Sequence, residues 1–175
     1  MTAPVVPAVP SIPAGYAPVQ ADLTLWVTTP FAFLASPVVF RGELHGTPSW
    51  PAAFDLVELD TILEDPWGGW SGTTWTWTVP AGCAGWYEVT MTAASLSSGG
   101  TAQQLPCELY LNGSRYSAAS SSWAVDGHDA GSCGQALVPL TPGDQLQFYV
   151  EPSYSTSPPG IAGQYPSMEI AWISA

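Results

Sequence analysis

The sequence contains no lysine, and its two basic residues are Arg41 and Arg115. Against them stand 14 acidic residues, which gives a formal net charge of −12. Neutralising a phosphate backbone requires several lysine or arginine side chains, and docking on anionic lipid requires a basic cluster. The composition therefore argues against nucleic acid and against a membrane surface as partners.

Charged residues of both signs make up only 9% of the 175 residues, whereas an average soluble domain has about 25%. A surface so poor in charge is common where much of it faces other protein chains. Apolar residues make up 46%, which is enough for one domain with a sizeable core plus an arm. No stretch approaches the ~18 unbroken apolar residues of a membrane helix, and no secretory signal is visible at the N-terminus. We expect a protein that is made in a cytoplasm and is soluble or assembled there.

Cysteine is scarce, with Cys83, Cys107 and Cys133 as its three members. An odd number leaves at least one cysteine unpaired, and no pair has the spacing of a metal site. The three are either small buried apolar residues or one disulfide plus a free thiol.

The N-terminal 20 residues are rich in proline, which recurs nearly every third position with Val, Ala and Ile between. Proline at this density favours an extended polyproline II conformation and disfavours both helices and strand ladders. This arm is either a disordered tail or, as we expect, a segment that docks on a larger body.

A short helix is predicted between residues 20 and 35, because Leu23, Trp26 and Val27 share one helical face and Pro30 limits its continuation. We predict an anchoring unit over residues 1–36. Its apolar contact residues are expected to be Val5, Val6, Val9, Ile12, Tyr16, Leu23, Trp26, Phe31, Phe33 and Leu34.

Residues 37–175 show the pattern of a β domain, with apolar and polar side chains alternating in several short segments. These segments are 38–40, 54–64, 73–79, 86–93, 105–111, 145–150 and 168–173. Asn112-Gly113 is a strong hairpin signal, and residues 141–144 (Thr-Pro-Gly-Asp) indicate a type II turn. About eight to ten short strands at this spacing predict an all-β jelly-roll sandwich.

Three segments, in order, resemble the C1q/TNF-like jelly-roll family. The first runs from Trp77 to Tyr87, with a Val-Pro pair, a glycine-containing turn and a Gly-x-Tyr entry to the next strand. The second is the Leu-x-x-Gly-Asp pattern of residues 140–144, and the third is the final strand, 167–173. The resemblance covers residues 37–175 and implies a jelly-roll head that forms a homotrimer.

The opening of the chain is similar to that of many virion proteins of tailed bacteriophages, in which a short helix precedes a C1q-like head. The matching residues are Asp22-Leu23-x-x-Trp26 and then Pro30-Phe31-x-Phe33-Leu34, although Thr24 stands where those proteins often have Asn. This resemblance implies a trimeric protein on the virion surface that contacts the major capsid protein or another virion protein. It leaves capsid decoration, minor capsid and minor tail roles open.

Several motifs contain residue types that act in catalysis or metal binding, but no catalytic residue, metal or cofactor is predicted from them. Glu58, Asp60 and Glu64 lie in a predicted strand that begins near Asp55, either as a glycosidase-type carboxylate set or, as we expect, as a solvated face guarding an edge. Cys83 has no sequence partner that positions it as a nucleophile, because the two histidines, at positions 45 and 128, are distant in sequence.

Residues 126–129 (Asp-Gly-His-Asp) offer ligands for calcium or zinc, but a turn rich in turn-forming residues explains them equally well. Among nine tryptophans, Trp75, Trp77 and Trp172 are expected in the core or on a threefold axis. Trp67 and Trp70, in the loop Pro-Trp-Gly-Gly-Trp, are the candidates for contact with a ligand such as a host-surface glycan, with packing as the alternative.

Three functions follow as hypotheses. The first is a capsid-surface decoration or minor capsid protein held by its N-terminal arm. The second is a minor tail protein that binds a receptor or glycan on the host. The third, which we do not expect, is a carbohydrate hydrolase on the particle.

Overall fold

The computed structural model describes residues 37–96, 104–119 and 130–174, and within these ranges the secondary structure is entirely β. The all-β prediction is therefore confirmed, whereas the predicted arm and short helix lie outside the described residues. Within those ranges no helix is long and apolar enough to cross a membrane. The strands are β1 (Val39–Glu43), β2 (Asp55–Leu56), β3 (Thr61–Glu64), β4 (Trp70–Ser71), β5 (Thr76–Thr78), β6 (Gly85–Ser95), β7 (Cys107–Leu111), β8 (Ser114–Ala119), β9 (Ala130–Leu140), β10 (Gln145–Val150) and β11 (Ser167–Ser174).

The strands form two antiparallel sheets. The five-stranded sheet has the order β3-β1-β11-β6-β9. The second sheet has the order β4-β5-β10-β7-β8, with β2 also paired to β10. Strands that follow one another in the chain repeatedly fall in different sheets, as in a jelly roll. The arrangement places β11 at the centre of its sheet, between β1 and β6, and leaves β9 at an edge.

The core lies between the sheets and follows from the alternation in the sequence. In β6 the side chains of Tyr87, Val89 and Met91 are buried, while Trp86, Glu88 and the threonines between them face outward. In β10, Leu146, Phe148 and Val150 are buried. Burying a Val, Leu or Phe side chain contributes about 1.5–3 kcal/mol, so the alternation fixes which face of each strand turns inward.

Trp77 and Tyr87 link the two sheets across this core. Trp77 belongs to β5 of one sheet and Tyr87 to β6 of the other, and their rings meet edge to face with 5.8 Å between centroids. Both side chains are fully buried. The prediction that Trp77 faces the core is therefore confirmed.

Two turns match their sequence signals. Asn112 and Gly113 have φ angles of 51° and 76°, as the two-residue turn between β7 and β8 requires. Gly143 has a φ of 91°, the positive value that a type II turn needs at its third position.

The prediction of one continuous strand over residues 54–64 is wrong. The chain leaves the six-stranded sheet after β2 and enters the five-stranded sheet at β3. The crossing is visible in two hydrogen bonds, because the Val57 N–H donates to Phe148 O of β10 and the Asp60 N–H donates to Glu43 O of β1. Val57 is buried as expected, but Leu63, assigned to the same inward face, is 50% exposed.

The predicted strand over residues 73–79 is also shorter than expected, since only β5 pairs. Trp75 has a φ of 51°. A positive φ is uncommon for residues other than glycine and asparagine, and it is rarest for bulky side chains. Trp75 lies in the turn between β4 and β5 and is half-buried. The alternating pattern therefore continues past the point where the backbone stops being extended.

Candidate functional site: an apolar face on the five-stranded sheet

The outer face of β6 and β9 carries apolar side chains where a monomer would be expected to present polar ones. Trp86 lies opposite Pro139 in the register of the two strands, and Leu137 lies two residues further along β9. Trp86 is 48% exposed and Leu137 is 60% exposed. These positions face outward because their neighbours Tyr87 and Val138 are buried in the core.

Two further residues extend this surface. Ile173 is 49% exposed and lies at an irregularity in β11, next to Ser174, which pairs with Trp86. Tyr116 of β8 is 43% exposed, and its hydroxyl donates a hydrogen bond to the Leu137 carbonyl at 3.1 Å. We call the surface formed by Trp86, Tyr116, Leu137, Pro139 and Ile173 the apolar face.

Charge is sparse on the apolar face and concentrated elsewhere on the same sheet. Glu88 lies beside Leu137, and its carboxylate accepts a hydrogen bond from the Gln135 side-chain amide. Arg41, two strands away, pairs with Glu169 at 3.0 Å and Glu43 at 3.5 Å. Contiguous exposed apolar surface with a polar surround marks contact sites between proteins. The apolar face can bury area against a partner, and Glu88, opposite Leu137 in the strand register, is an acidic residue beside it.

The apolar face also lies at a sheet edge. β9 has 11 residues, and among the strands that the structure describes it pairs within its sheet to β6 alone. A long edge strand is normally shielded by lysines, bulges or a covering element, because its unpaired backbone groups invite another chain. The sequence has no lysine to serve this purpose.

The cysteines are all free thiols. Cys83 and Cys107 are buried, and burial raises the pKa of the Cys107 thiol. Both match the prediction of small buried residues. Cys133 is exposed on the outer side of β9, so the prediction is wrong for this residue, and the alternative of a disulfide is wrong as well.

Trp67 and Trp70, the predicted ligand-contact residues, are held by packing. Trp67 is 6% exposed, and its indole N–H donates to Pro37 O at 3.1 Å. Trp70 is half-buried, and its ring stacks on Phe40 with 5.1 Å between centroids. Trp67 therefore follows the packing alternative, because the loop folds back onto the core. Asp65 stabilises that fold by accepting the Trp70 N–H at 2.9 Å.

The acidic residues of segment 54–64 do not form a catalytic set. Asp60 accepts the backbone N–H groups of His45 and Gly46 at 2.9 and 2.8 Å. Desolvation raises the pKa of Asp60, but these hydrogen bonds outweigh it and hold the pKa below its usual value. Glu58 and Glu64 are exposed. Asp60 therefore remains ionised and secures a turn, in agreement with the solvated alternative.

His45 and Cys83 have separate surroundings. His45 is exposed, stacks on Tyr165 with 3.8 Å between ring centroids and has Nε2 2.8 Å from Glu43. Cys83 is buried. No group of three His, Cys, Asp or Glu side chains suitable for a metal occurs in the part of the chain that the structure describes. The candidate metal loop, residues 126–129, lies outside that part.

The predicted anchoring residues cannot be placed, because all of them lie in residues 1–36, outside the described ranges. They are Val5, Val6, Val9, Ile12, Tyr16, Leu23, Trp26, Phe31, Phe33 and Leu34. The anchoring role remains a prediction. The apolar face was not predicted from the sequence. Trp86, Leu137 and Pro139 are apolar residues at outward-facing positions of their strands, and this mismatch is the feature that could have indicated it.

No protein-family model and no curated protein matches the sequence. The fold, however, is similar to solved structures, among them the globular domain of zebrafish complement 1qA protein, with a TM-score of 0.58 at 16% identity. The match covers 79% of this chain and 98% of the zebrafish domain. At this identity the likeness establishes the fold, and the chain therefore has the jelly-roll fold of the C1q globular domain.

Proposed function

We propose that the protein is a structural component of a bacteriophage virion, namely a homotrimeric capsid-surface decoration or minor capsid protein. In this proposal the jelly-roll head associates with two copies of itself and projects from the particle. The N-terminal arm holds each copy on the major capsid protein or on another virion protein. In this role the protein acts by burying surface in contacts with other chains, without catalysis or a cofactor.

The observation that carries the proposal is the apolar face. Trp86, Leu137 and Ile173 are each about half exposed. The chain has few charged residues that would keep this apolar surface from contacting other protein chains. A closed ring of three copies would cover this face on every subunit. A standard protein interface buries roughly 1,600 Å² in total, and the apolar face provides the fully buried centre that such an interface needs.

The virion role rests on the sequence resemblance of the opening segment and on the composition of the arm. Proline at nearly every third position favours an extended chain, so docking of such an arm would cost little conformational entropy. Many copies repeated over one particle would add avidity to a weak individual contact. These features favour a protein that decorates a larger assembly.

The proposal is tested by deleting residues 1–20. The truncated protein should remain a folded trimer in sedimentation velocity, and it should no longer co-sediment with particles that lack the native protein. A second variant replaces Val5, Val6 and Val9 by serine and keeps every proline, so it removes apolar contacts without shortening the arm. If anchoring depends on apolar contact, this variant should also lose particle binding.

Two results would overturn the proposal. One is normal decoration of particles by the truncated protein, which would remove the anchoring role. The other is a full-length protein that is a monodisperse monomer at micromolar concentration, which would remove the trimer. The two readouts are separate, so each part of the proposal can fail alone.

A second candidate is a minor tail protein that binds a receptor or a glycan on the host surface. It is favoured by a cluster of three aromatic rings, Phe54, Tyr110 and Tyr149, on the outer face of the six-stranded sheet. Loss of host-cell binding by purified trimer after substitution in that cluster would support it, and absence of any cell binding by the intact trimer would count against it.

A further inference from the structure

Three aromatic rings form a cluster on the outer face of the six-stranded sheet. Phe54 stacks on Tyr149 with 4.4 Å between centroids and an interplanar angle of 10°. Tyr110 contacts both rings, with centroid distances of 5.0 Å to Phe54 and 4.6 Å to Tyr149. Phe54 is 39% exposed, so the cluster presents ring surface to solvent.

The strand register explains why the rings meet. In β10 the neighbours Phe148 and Val150 point into the core, so Tyr149 points outward. In β7 the same alternation turns Tyr110 outward, opposite Gln147 and so two residues along the register from Tyr149. Phe54 immediately precedes β2, which pairs with the same end of β10. No part of the core requires these three rings, because the core-facing positions are filled by other residues.

A charged pair borders the cluster. Glu108 lies opposite Tyr149 in the register of β7 and β10, and its Oε1 accepts a hydrogen bond from Arg115 Nη1 at 2.9 Å. The Arg115 side chain is 58% exposed. A guanidinium has five N–H donors in a fixed fork, so Arg115 keeps donors for a ligand while Glu108 fixes its position.

The second oxygen of Glu108 is the less usual feature. The Glu108 side chain is only 3% exposed, and its Oε2 is buried without a hydrogen-bond partner. An unsatisfied buried acceptor costs about 1–3 kcal/mol, and such groups call for a specific explanation. Glu108 therefore needs the Arg115 cation beside it, and this pairing holds the guanidinium at the border of the cluster.

A groove continues from the cluster along the same face. Its volume is about 360 Å³, and it is lined in part by Ala53, Pro106 and Glu151. Pro106 and Glu151 are joined by a backbone hydrogen bond at 3.0 Å, and they lie two residues from Glu108 and Tyr149 along their strands. Ligand sites commonly have volumes of about 300–1,000 Å³ and combine apolar walls with a few polar groups.

We propose that this face binds a neutral saccharide. A sugar ring has an apolar C–H face that packs on exposed aromatic rings, and hydroxyls that both donate to a carboxylate and accept from a guanidinium. The cluster, the exposed guanidinium of Arg115 and the exposed carboxylate of Glu151 in the groove supply these three contacts on one face. A net charge of −12 disfavours acidic sugars through long-range repulsion.

A neutral saccharide would be the ligand in the second candidate function, and only the biological role of this binding rests on that function. The sugar site lies on the six-stranded sheet, whereas the apolar face lies on β6, β9 and their neighbours. A trimer that binds no sugar would overturn the inference and leave the virion proposal intact. A monomer that binds sugar would do the reverse.

The experiment uses the full chain and a panel of neutral tetrasaccharides of glucose, mannose, galactose and N-acetylglucosamine. Saturation-transfer NMR identifies the binder, and calorimetry measures its Kd. At least one tetrasaccharide should bind, with Phe54→Ala and Arg115→Gln each weakening binding by about tenfold. Ile161→Ala is the matched control, because Ile161 is an exposed apolar residue (54% exposed) outside the cluster and its groove, and this variant should bind as the wild type does.

Phe54→Leu guards against a trivial loss of folding, since it keeps an apolar side chain and removes the ring. Near-UV circular dichroism checks that each variant is folded. Weak binding by folded Phe54→Leu supports stacking as the source of affinity. Failure of every tetrasaccharide to bind the wild type, or unchanged binding by Phe54→Ala, overturns the proposal.

Discussion

The guanidinium of Arg115 donates a hydrogen bond to the carboxylate of Glu108, with 2.9 Å between Nη1 and Oε1. The two side chains differ in their surroundings, because the Glu108 side chain is 3% exposed and the Arg115 side chain is 58% exposed. Desolvation raises the pKa of Glu108, and the positive charge of Arg115 opposes that rise. Arg115 therefore stabilises a charge that the solvent does not reach.

We expect Arg115→Gln to lower the free energy of unfolding at pH 7 by about 1–3 kcal/mol, because it leaves a buried carboxylate without its cation. The pKa of Glu108 in the folded state lies above its ordinary value of 4.5, so the folded state holds this proton more tightly than the unfolded chain. Ionising Glu108 thus opposes folding as the pH rises above that value. The loss in Arg115→Gln should shrink when Glu108 becomes protonated at pH 4.

Urea denaturation at pH 7 and pH 4 measures both effects. The control is Arg115→Gln in a Glu108→Gln background, where no buried charge remains and where the substitution should have little effect at either pH. An equal loss at both values of pH in the single variant would contradict this account.

Asn112 and Asp144 join two turns at one end of the six-stranded sheet. The Asn112 side-chain amide donates to Asp144 Oδ1 at 2.8 Å, and Asn112 Oδ1 accepts the Gln145 N–H at 2.9 Å. The hydrogen bond from Asn112 is the largest influence that lowers the pKa of Asp144, followed by hydrogen bonds from Thr141. This stabilisation is therefore complete above the ordinary aspartate pKa of 3.8 and is lost as the pH falls through the lower, folded value.

Asn112→Asp tests this pair with almost no change in shape. At pH 7 it replaces a donor by a second carboxylate, so we expect a loss of about 1–2 kcal/mol in the free energy of unfolding and a rise in the pKa of Asp144. Below pH 3 the protonated side chain at position 112 can donate again, and the difference from the wild type should narrow. NMR titration of Asp144 supplies the direct measurement, and an unchanged pKa would show that Asn112 does not stabilise it.

Gly85 and Tyr87 show how contacts in the fold account for the Gly-x-Tyr pattern of the sequence. Its φ is 152°, and a Cβ at this position would lie 2.2 Å from Ser174 O and 2.5 Å from Trp172 Nε1. Two residues later, the buried Tyr87 hydroxyl donates to Cys83 O at 2.5 Å. The Gly-x-Tyr pattern thus combines close approach of β11 with a buried hydrogen bond.

We expect Gly85→Ala to lower the free energy of unfolding by about 2–4 kcal/mol, since it adds a steric clash to backbone strain. Gly143→Ala is the matched control. Gly143 has a φ of 91° with nothing within 4 Å of the added Cβ, so this variant should lose only the strain of about 1–2 kcal/mol. Chemical denaturation of both variants gives the comparison, and similar losses would mean that contact with β11 contributes nothing.

The sequence predicted the elements that local chemistry determines. Strict alternation identified the buried side of β6 and β10, and the Asn112-Gly113 pair identified its hairpin, because these depend on backbone preference and on one face being buried. Segment 54–64 was predicted wrongly because alternation continues through Val57 and Leu59 while the chain crosses between sheets. Alternation reports which side chains are buried, and it does not report which sheet buries them.

The candidate sites were less predictable than the fold. Trp67 was a candidate for ligand contact, with packing as the alternative, and it is buried. Asp65 turns the loop, but the Trp67 indole bonds to Pro37, 30 residues away along the chain, and no local pattern reports that contact. The aromatic cluster of Phe54, Tyr110 and Tyr149 depends on the register of three strands that are distant in sequence. Register between such strands is set by the whole sandwich, so neighbouring residues in the cluster could not be paired from the sequence.

Leu137 lies at the centre of the apolar face, and its substitution gives the most direct test of self-association. We expect Leu137→Asp to convert the proposed trimer into monomer at micromolar concentration, because a buried charge without a partner strongly disfavours an interface. The isolated head should change little, within about 0.5 kcal/mol, since Leu137 is 60% exposed in the single chain and exposed substitutions have small effects on stability. Leu63→Asp is the matched control, an exposed leucine of β3 at the opposite edge of the same sheet, and it should leave the trimer intact. Sedimentation velocity distinguishes the outcomes, and a Leu137→Asp protein that stays as trimeric as the wild type would place the contact between copies on another surface.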